Sequence, residues 1–482
     1  MKKITIIFTL LGLVFSTYAQ EEKKWTLKEC VDYALENNIS IKQSELDLQS
    51  SEISKSDAIG NYLPAINGQA SNSWNTGLTQ NVTTGVLQNQ TTRNFSAGVT
   101  ASVSVFNGLR NLREFQRAKL AKISALYSLE KMEDDITLFV ANGYLNILVN
   151  KEIVSVLKAQ NALTQEQFQR TKDLVDAGTL PKGDLLEIKA TDADERQQII
   201  VAENNVRIAL ISLAQTLLIK DYETFDIVDE SYETPLATIL DKEPNEILES
   251  AKSERYEIKI AEQNVELARK DVQISKSALY PSLSAFINYN TRESGANTIT
   301  QFTELDEDNP TQVIGQVEGT GQNVITDNYT TSFITGDPRS FVDQLWLNDG
   351  ISYGLSLSVP VLNGFSVRNS IKRNEINVKS AEYQLEQAKL DLESNIYQAY
   401  VDAQGAAKAF EASLTALESQ EQAYEYAQER YDVGLTNAFD FSQSKFRLSN
   451  AQSQLIQSKY DYIFKLKVLE LYFGVDPEDI KL

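Results

Sequence analysis

The amino-acid sequence predicts a mixed α+β membrane protein in which long α-helical coiled-coil hairpins accompany four β-strands per chain. The first observation is that two long stretches, 107–180 and 361–476, contain no proline and are rich in residues that favour helix. The second is that apolar residues recur in them every seven positions, the spacing of coiled-coil helices. The third is that apolar and small polar residues alternate in short segments elsewhere, which is typical of strands.

The composition excludes several classes of site. The chain of 482 residues has 45 Lys and Arg against 67 Asp and Glu, no His and a single Cys. It therefore lacks the residues for a Ser-His-Asp or Cys-His nucleophile, a His-ligated zinc, a multi-Cys metal site or a disulfide framework. The net charge of −22 argues against nucleic acid as a partner, because phosphates attract clusters of Lys and Arg. We expect no enzyme activity, no cofactor and no metal.

The amino terminus predicts export. Residues 1–19 combine a basic start at Lys2 and Lys3, an apolar run over 4–15 and a small residue, Ala19, at the cleavage position. These features together predict a secretory signal peptide. The apolar run is too short for a membrane-spanning helix, which needs about 20 residues.

The next segments predict a helix and then a pair of strands. Residues 20–62 predict an N-terminal periplasmic helix that begins after Thr26 as its N-cap. Within it, Cys30 is expected to be a small, half-buried packing residue without attached lipid. Residues 63–106 predict the first strand pair, whose clearest alternation places apolar residues at Phe95, Ala97, Val99, Ala101, Val103 and Val105.

The two helical stretches are copies of one another. Residues 107–218 predict a long helix, a tight turn at Gly178 and a returning helix, and residues 363–474 predict the same arrangement with its turn at Gly434. An Asn-Gly pair opens each copy, and its glycine lies 70 residues before the turn glycine in both. The offset between the copies is 256 residues, which indicates an internal duplication.

Heptads support the same offset. In the second copy the apolar series runs through Ala403, Phe410, Leu417, Tyr424 and Tyr431, and restarts after the turn at Phe441, Leu448, Leu455, Tyr462 and Leu469. The first copy keeps this series with two polar exceptions, Asn161 and Asp192. Both copies therefore predict helices that pack along one apolar seam.

The remaining segments connect the copies. Residues 219–250 predict an equatorial linker region, and residues 251–280 predict a further periplasmic helix. Residues 281–362 predict the second strand pair, with a long polar extracellular loop between its strands. An acidic cluster in that loop begins at Asp306 and is expected to be solvated rather than to bind a cation. Residues 475–482 are expected to form a C-terminal tail.

Four strands are too few to close a membrane barrel, since the smallest barrels have eight. An open sheet in lipid would leave backbone groups without partners, each costing several kcal/mol. Three copies would supply twelve strands, with the Ser and Gly faces lining a water-filled lumen and the apolar faces in lipid. The helices of the three copies would form a periplasmic α-barrel. The sequence therefore predicts a homotrimer in contact with outer-membrane lipid.

These features resemble the TolC-like outer-membrane efflux proteins. The resemblance rests on the signal peptide, on the strand pair and helical hairpin repeated in the same order, on the opening segment from Trp25, and on the turn sequences that follow Val175 and Tyr431. It covers residues 26–474 and implies a homotrimeric channel that passes substrates from the periplasmic side to the cell exterior. It also implies a periplasmic adaptor protein and an inner-membrane transporter of the RND or ABC type as partners.

The resemblance further implies roles for the residues at the two turns. By position, the adaptor would dock at the tips, which comprise Gly178, Thr179, Leu180, Gly434, Leu435 and Thr436. A basic residue that many family members carry at the last of these positions is absent here.

A periplasmic gate is implied beside the tips. The family's acidic ring falls on Asp440, and the position of a second ring is Gln443, which has no charge. The first copy has Asp184 and Glu187 at the matching positions, and a bond from Asp184 to Tyr431 is implied as part of the closed state. From the residues alone, an acid at a helix N-terminus is also explained by the helix dipole, a stabilisation of about 0.3–1 kcal/mol.

Two alternatives remain open from the sequence. A carboxylate-only hydrolase would need two acids that converge in one pocket, and no segment indicates such a pair. A secreted or surface-anchored structural coiled-coil protein would share the signal peptide and the heptads. It would have no use for strands with one apolar face, which is the feature that separates it from a membrane channel.

Overall fold

The computed structural model describes residues 23–80, 87–230, 232, 238–296 and 298–474. The predicted signal peptide and C-terminal tail lie outside these residues, as do several residues of the predicted linker region. The chain divides into two compact units. The helical unit comprises residues up to Ser54, Arg117–Arg269 and the residues from Asn374 onward, and the strand unit comprises Lys55–Gln116 and Lys270–Arg373. Within the described ranges, every helix is too short or too polar to cross a membrane.

The first half of the described chain contains two short strands, two long strands and the first helical hairpin. In order, its elements are β1 (Lys24–Trp25), α1 (Leu27–Asn37), α2 (Ile39–Gly60), β2 (Ala65–Gln80), β3 (Leu87–Asn107), α3 (Arg110–Asp176), α4 (Lys182–Thr216) and β4 (Asp226–Ile227). The sixty-seven residues of α3 and the returning α4 form the long hairpin that the sequence predicts.

The second half repeats this order with insertions. A 3₁₀ turn is followed by α5 (Pro244–Glu254), α6 (Tyr256–Ser277), β5 (Ser282–Ser294), β6 (Thr298–Leu305), β7 (Thr311–Gln316), β8 (Asn323–Asp327), β9 (Tyr329–Gly336), α7 (Phe341–Leu347), β10 (Gly350–Ser358), α8 (Ser366–Asp432) and α9 (Ala438–Phe473). The helix α8 has the same length as α3, as the duplication requires.

The N-terminal helix differs from its predicted course. It begins as expected, since the Thr26 side chain accepts from the Glu29 N–H at 3.2 Å and the Glu29 carboxylate accepts from the Thr26 N–H at 3.0 Å. It is interrupted at Asn38, whose backbone is extended. The Asn38 side chain accepts from the Ser40 N–H at 2.8 Å and donates to the Thr216 carbonyl at 3.2 Å. This amide caps α2 and holds the end of α4, which explains the break.

The segment 291–350 was predicted as a long polar loop, and this prediction was wrong. It contains two further antiparallel pairs, β6 with β9 and β7 with β8, as well as α7. The polar ends of β2 and β3 continue the ladder of the first strand pair, with the hydroxyls of Thr76 and Thr91 2.8 Å apart. Cross-strand hydroxyl pairs of this kind stabilise polar strands that hydrophobicity alone does not reveal.

Two buried clusters in the helical unit share the offset of the duplication. The first contains Val140, Ile147 and Leu213. Their counterparts 256 residues later, Ile396, Ala403 and Leu469, belong to the second cluster. The short helices α1 and α5 pack into the first and second cluster respectively. The two copies therefore have equivalent apolar cores, and the first core also includes Ile456, Tyr460 and Ile463 of α9.

The single cysteine lies in the first cluster. Cys30 is fully buried, although the sequence predicted a half-buried position. Burial raises the pKa of its thiol to about 12, so it remains protonated and unreactive at neutral pH.

The strand unit contains a four-stranded antiparallel sheet in the order β10–β5–β3–β2. Residues paired across neighbouring strands share a face, and the register places apolar side chains on one side. This apolar face includes Ile66, Val99, Ala101, Ile287, Tyr289, Ile351, Tyr353 and Leu355. The opposite face carries Asn67, Thr100, Ser102, Asn288, Ser352 and Ser356, with Phe286 as an aromatic exception that contacts Gly354.

The junctions from strand to long helix are also duplicated. Gly108 and Leu109 both have positive φ, and so do their counterparts Gly364 and Phe365. A Cβ on Gly108 would lie 2.4 Å from the carbonyl oxygen of Ser277, so only glycine fits there.

Candidate functional site at the helical tips

The two hairpin turns are built in the same way. At the first turn, Gly178 has φ of +76° and its N–H donates to the Val175 carbonyl, while the Thr179 N–H donates to the Leu174 carbonyl at 2.9 Å. This pair of bonds is a Schellman motif, which ends a helix through a residue with positive φ.

The second turn repeats the motif at the same offset. Gly434 has φ of +75°, its N–H donates to the Tyr431 carbonyl, and the Leu435 N–H donates to the Arg430 carbonyl at 2.8 Å. The side chain of Leu435 is largely exposed, and that of Leu180 in the first turn is partly exposed. The tips therefore present small and apolar groups outward on a fixed backbone.

A groove of about 820 Å³ lies between the two turns. Both Asp184 and Asp440 line it, although they are 256 residues apart in the chain. The Asp440 carboxylate is exposed and accepts from the Asn437 side-chain amide at 3.1 Å, while the Asp440 N–H donates to the same Asn437 side chain at 2.8 Å. Asn437 thus caps α9, and the Asp440 carboxylate remains open to water.

The second predicted pair lies in an adjacent cavity. Glu187 and Gln443 both line a space of about 350 Å³ further along α4 and α9. Gln443 is exposed and Glu187 is half-buried. The structure therefore brings together the residues that the duplication relates, first the two aspartates and then the glutamate with the glutamine.

The hydroxyl of Tyr431 contacts Thr171 rather than Asp184. Its oxygen lies 3.2 Å from that of Thr171, and its ring stacks on the buried Phe441 with centroids 5.0 Å apart. The implied bond from Asp184 to Tyr431 is absent from the contacts of the described residues, although both line the groove. Tyr431 is held instead by contacts between α3 and α8 and between α8 and α9.

An ion pair also joins the two hairpins near the tips. Arg170 donates to the Asp432 carboxylate at 2.9 Å, and the two side chains are 63% and 36% exposed. An exposed pair of this kind stabilises by about 0–1 kcal/mol. It supplies a link between the copies beside Thr436, the position where the family often has a basic residue.

A buried polar cluster lies between α3, α4 and α9, away from the predicted site. Lys445 is 2% exposed and its ammonium donates to the Gln160 carbonyl at 2.7 Å and to the Thr164 hydroxyl. The ammonium also lies 3.3 Å from the Glu195 carboxylate. Burial lowers the pKa of Lys445, and the Glu195 charge opposes this shift.

The two polar exceptions to the heptad series belong to the same cluster. The Asn161 side chain donates to Asp192 at 3.0 Å and to Glu195 at 3.1 Å. The sequence offered a signal for this cluster, because Lys445 follows Phe441 by four residues and precedes Leu448 by three, which places a charge on the apolar seam.

Comparison with known proteins gives one matching family. The family model described as "Outer membrane efflux protein" matches residues 30–217 and 343–475, more than half of the chain. The outer membrane protein TolC of Escherichia coli (strain K12) is 21% identical over 467 residues, which cover 96% of this chain and 84% of that protein.

Solved structures share the fold. A crystal structure of CusC, described as a study of folding and transmembrane channel formation, superposes with a TM-score of 0.72 at 15% identity and covers 93% of this chain and 92% of that one. The outer membrane protein VceC of Vibrio cholerae gives a TM-score of 0.69 at 14% identity, over 93% of this chain and 96% of that one. The predicted combination of long helical hairpins with membrane strands is thereby confirmed.

Proposed function

Because the chain belongs to the outer membrane efflux protein family, we propose that three copies form one outer-membrane channel through which substrates leave the periplasm. The observation that carries the trimer is the sheet. Its four strands have one apolar and one polar face, but they cannot close a barrel. Three sheets joined at their edges would give twelve strands, with apolar faces in lipid and polar faces around water.

We place the channel in a tripartite assembly. A periplasmic adaptor and an inner-membrane transporter of the RND or ABC type would deliver the substrate. The tips, Gly178 to Leu180 and Gly434 to Thr436, would receive the adaptor. The equivalence of the two turns supports this docking site, since both turns have the same helix cap and expose apolar groups on a fixed backbone. One adaptor segment could therefore recognise both turns.

The gate would lie beside the tips. In a trimer, three copies of Asp440 would face a narrow aqueous opening. Two carboxylates about 6 Å apart in water repel by about 0.7 kcal/mol, so three such pairs cost about 2 kcal/mol. A divalent cation would relieve this repulsion and obstruct the opening. Asp184 and Glu187 would act on closure, with Tyr431 held by Thr171 as part of the hairpin packing.

Ion conduction by the purified protein in planar bilayers tests the function and the gate together. The wild-type protein is expected to form trimeric pores whose conductance falls when millimolar divalent cations enter from the tip side. Asp440→Ala is expected to remove most of this block, because the charge is lost while the cap from Asn437 to the backbone remains. Gln443→Asp is expected to deepen the block, and Asp184→Ala should leave it unchanged.

A protein that stays monomeric in mild detergent and forms no pores would refute the proposed function. A pore whose block survives Asp440→Ala would leave the channel intact and place the constriction elsewhere.

Adaptor docking predicts a separate effect at the second tip. Gly434→Trp is expected to abolish export, because a large side chain would project from a surface that must meet the adaptor closely. Space around this glycine is open within the chain, so the new side chain meets no neighbour, and the strain of a tryptophan at φ of +75° costs about 1–2 kcal/mol at the turn. Gly434→Asn is the control, since asparagine tolerates positive φ and adds little bulk. Export is measured as resistance to toxic compounds, with trimer yield in outer membranes measured in parallel.

Normal resistance in Gly434→Trp cells would contradict docking at this tip. Loss of trimer as well as export would assign the effect to folding instead.

A further inference from the structure

The short helix α7 covers part of β5 in the strand unit. Gln344 donates to the Ser294 carbonyl at 3.0 Å and accepts from the Ser294 N–H at 3.1 Å. The Thr291 hydroxyl donates to the Leu345 carbonyl at 2.6 Å. These contacts lie beyond Asn290, the last residue of β5 that pairs with β10. The helix thus satisfies backbone groups of β5 past the end of its neighbouring strand.

One aromatic residue of α7 reaches the apolar face of the sheet. The ring of Phe341 packs edge-on against Phe95 with centroids 5.1 Å apart, and the Arg93 guanidinium lies over the same ring at 5.3 Å. By register, Phe95 and Arg93 share the apolar face with Val99. The helix therefore packs on the side of the sheet that the proposed function places in lipid.

An ion pair between β3 and β5 lies at the same height along the strands as α7. Arg93 donates to Glu293 at 2.7 Å, and Glu293 is only 4% exposed. A charge in hydrocarbon is costly, so the apolar band should end near this pair.

The opposite side of α7 is apolar and exposed. Val342 and Trp346 lie two residues before and after Gln344, so they point away from β5. Trp346 is 73% exposed, and Leu347 beside it is also largely exposed. Trp74, the register partner of Arg93, is 63% exposed on the apolar face. Both tryptophans of the strand unit therefore lie at the level where the apolar band ends.

We propose that α7 is a membrane-interface helix that docks its Val342–Trp346–Leu347 surface into the outer-leaflet lipid, at the boundary between acyl chains and headgroups. The inference rests on the proposed function, because it takes the apolar face as the lipid face. Tryptophan prefers this boundary, since its ring is apolar and its N–H can reach polar groups. The helix also shields the Arg93–Glu293 pair from that lipid, which allows charge so near the apolar band.

Tryptophan fluorescence tests this proposal, because the chain has only Trp25, Trp74 and Trp346. Three variants each keep one of them, with phenylalanine at the other two positions. Each full-length variant is reconstituted into phosphatidylcholine vesicles whose acyl chains are brominated either near the headgroup or near the chain end. Trp346 is expected to lose about half of its emission, and more with bromine near the headgroup. Trp25, which packs against Tyr33 in the helical unit, should lose almost none.

The remaining outcomes separate the inference from the proposed function. Quenching of Trp74 without quenching of Trp346 would overturn the helix assignment and leave the membrane sheet in place. If Trp346 is then quenched by aqueous iodide, the helix projects into water. If it is shielded from iodide as well, it packs against a second copy. Absence of lipid quenching at both tryptophans would overturn the inference together with the assignment of the apolar face.

Discussion

Val99→Arg is expected to abolish assembly of the protein in the outer membrane. Val99 lies on the apolar face in register with Gly68 and Tyr289, near the middle of β3. An arginine at the centre of the lipid-facing surface of a barrel costs about 2–4 kcal/mol, and a trimer carries three of them. The measurement is the amount of heat-sensitive trimer in purified outer membranes.

Thr100→Arg is the matched control. The residue is adjacent in the same strand but lies on the polar face, in register with Asn67 and Asn288. Its arginine should reach lumen water, so trimer is expected at wild-type levels. Equal loss of trimer in both variants would show that the two faces of the sheet are assigned wrongly.

Glu195→Leu is expected to destabilise the helical unit by about 3–5 kcal/mol, because it removes the carboxylate that is paired with the buried ammonium of Lys445. The double change Glu195→Leu with Lys445→Leu should recover most of this loss, since removal of both charges also removes the desolvation cost. Lys189→Leu is the control. Lys189 is the counterpart of Lys445 at the duplication offset, but it is exposed, so little change is expected. The free energy of unfolding of all three variants is measured in detergent by circular dichroism.

The loss in Glu195→Leu should shrink as pH rises. Burial lowers the pKa of Lys445 below its ordinary value of 10.5, and without Glu195 only the weaker attraction of the Asp192 carboxylate opposes that shift. The folded state then binds the proton more weakly than the unfolded state, so raising the pH favours folding between the lowered pKa and 10.5. A loss that does not change with pH would mean that the ammonium is solvated in the variant.

The sequence predicted the parts of the fold that repeat. The turns at Gly178 and Gly434 and the junctions at Gly108 and Gly364 follow from the constant offset, and the structure repeats even their positive φ values. Because a duplicated sequence pattern contains each structural constraint twice, the constraint can be recognised without knowledge of the tertiary structure.

The sequence was less informative where distant groups decide the structure. The break at Asn38 depends on its bond to the Thr216 carbonyl, 178 residues away. Beyond the first strand pair, β6 to β9 are rich in Thr and have weak alternation, so their pairing depends on backbone bonds more than on a buried face. At the proposed gate, the shared groove of Asp184 and Asp440 follows from the offset, whereas the partner of Tyr431 depends on the packing of Phe441.

The cluster around Lys445 has a consequence for how the chain folds. Two nearly equal hairpins in one chain could exchange partners, with α9 packing against α8 as it packs against α3. In that arrangement Lys445 would meet Ala416 and Gln420, the counterparts of Gln160 and Thr164 in α3, and its ammonium would lose the Glu195 carboxylate of α4. The correct pairing therefore gives a buried charge its partner and the exchanged pairing does not, which favours the correct pairing of the two hairpins.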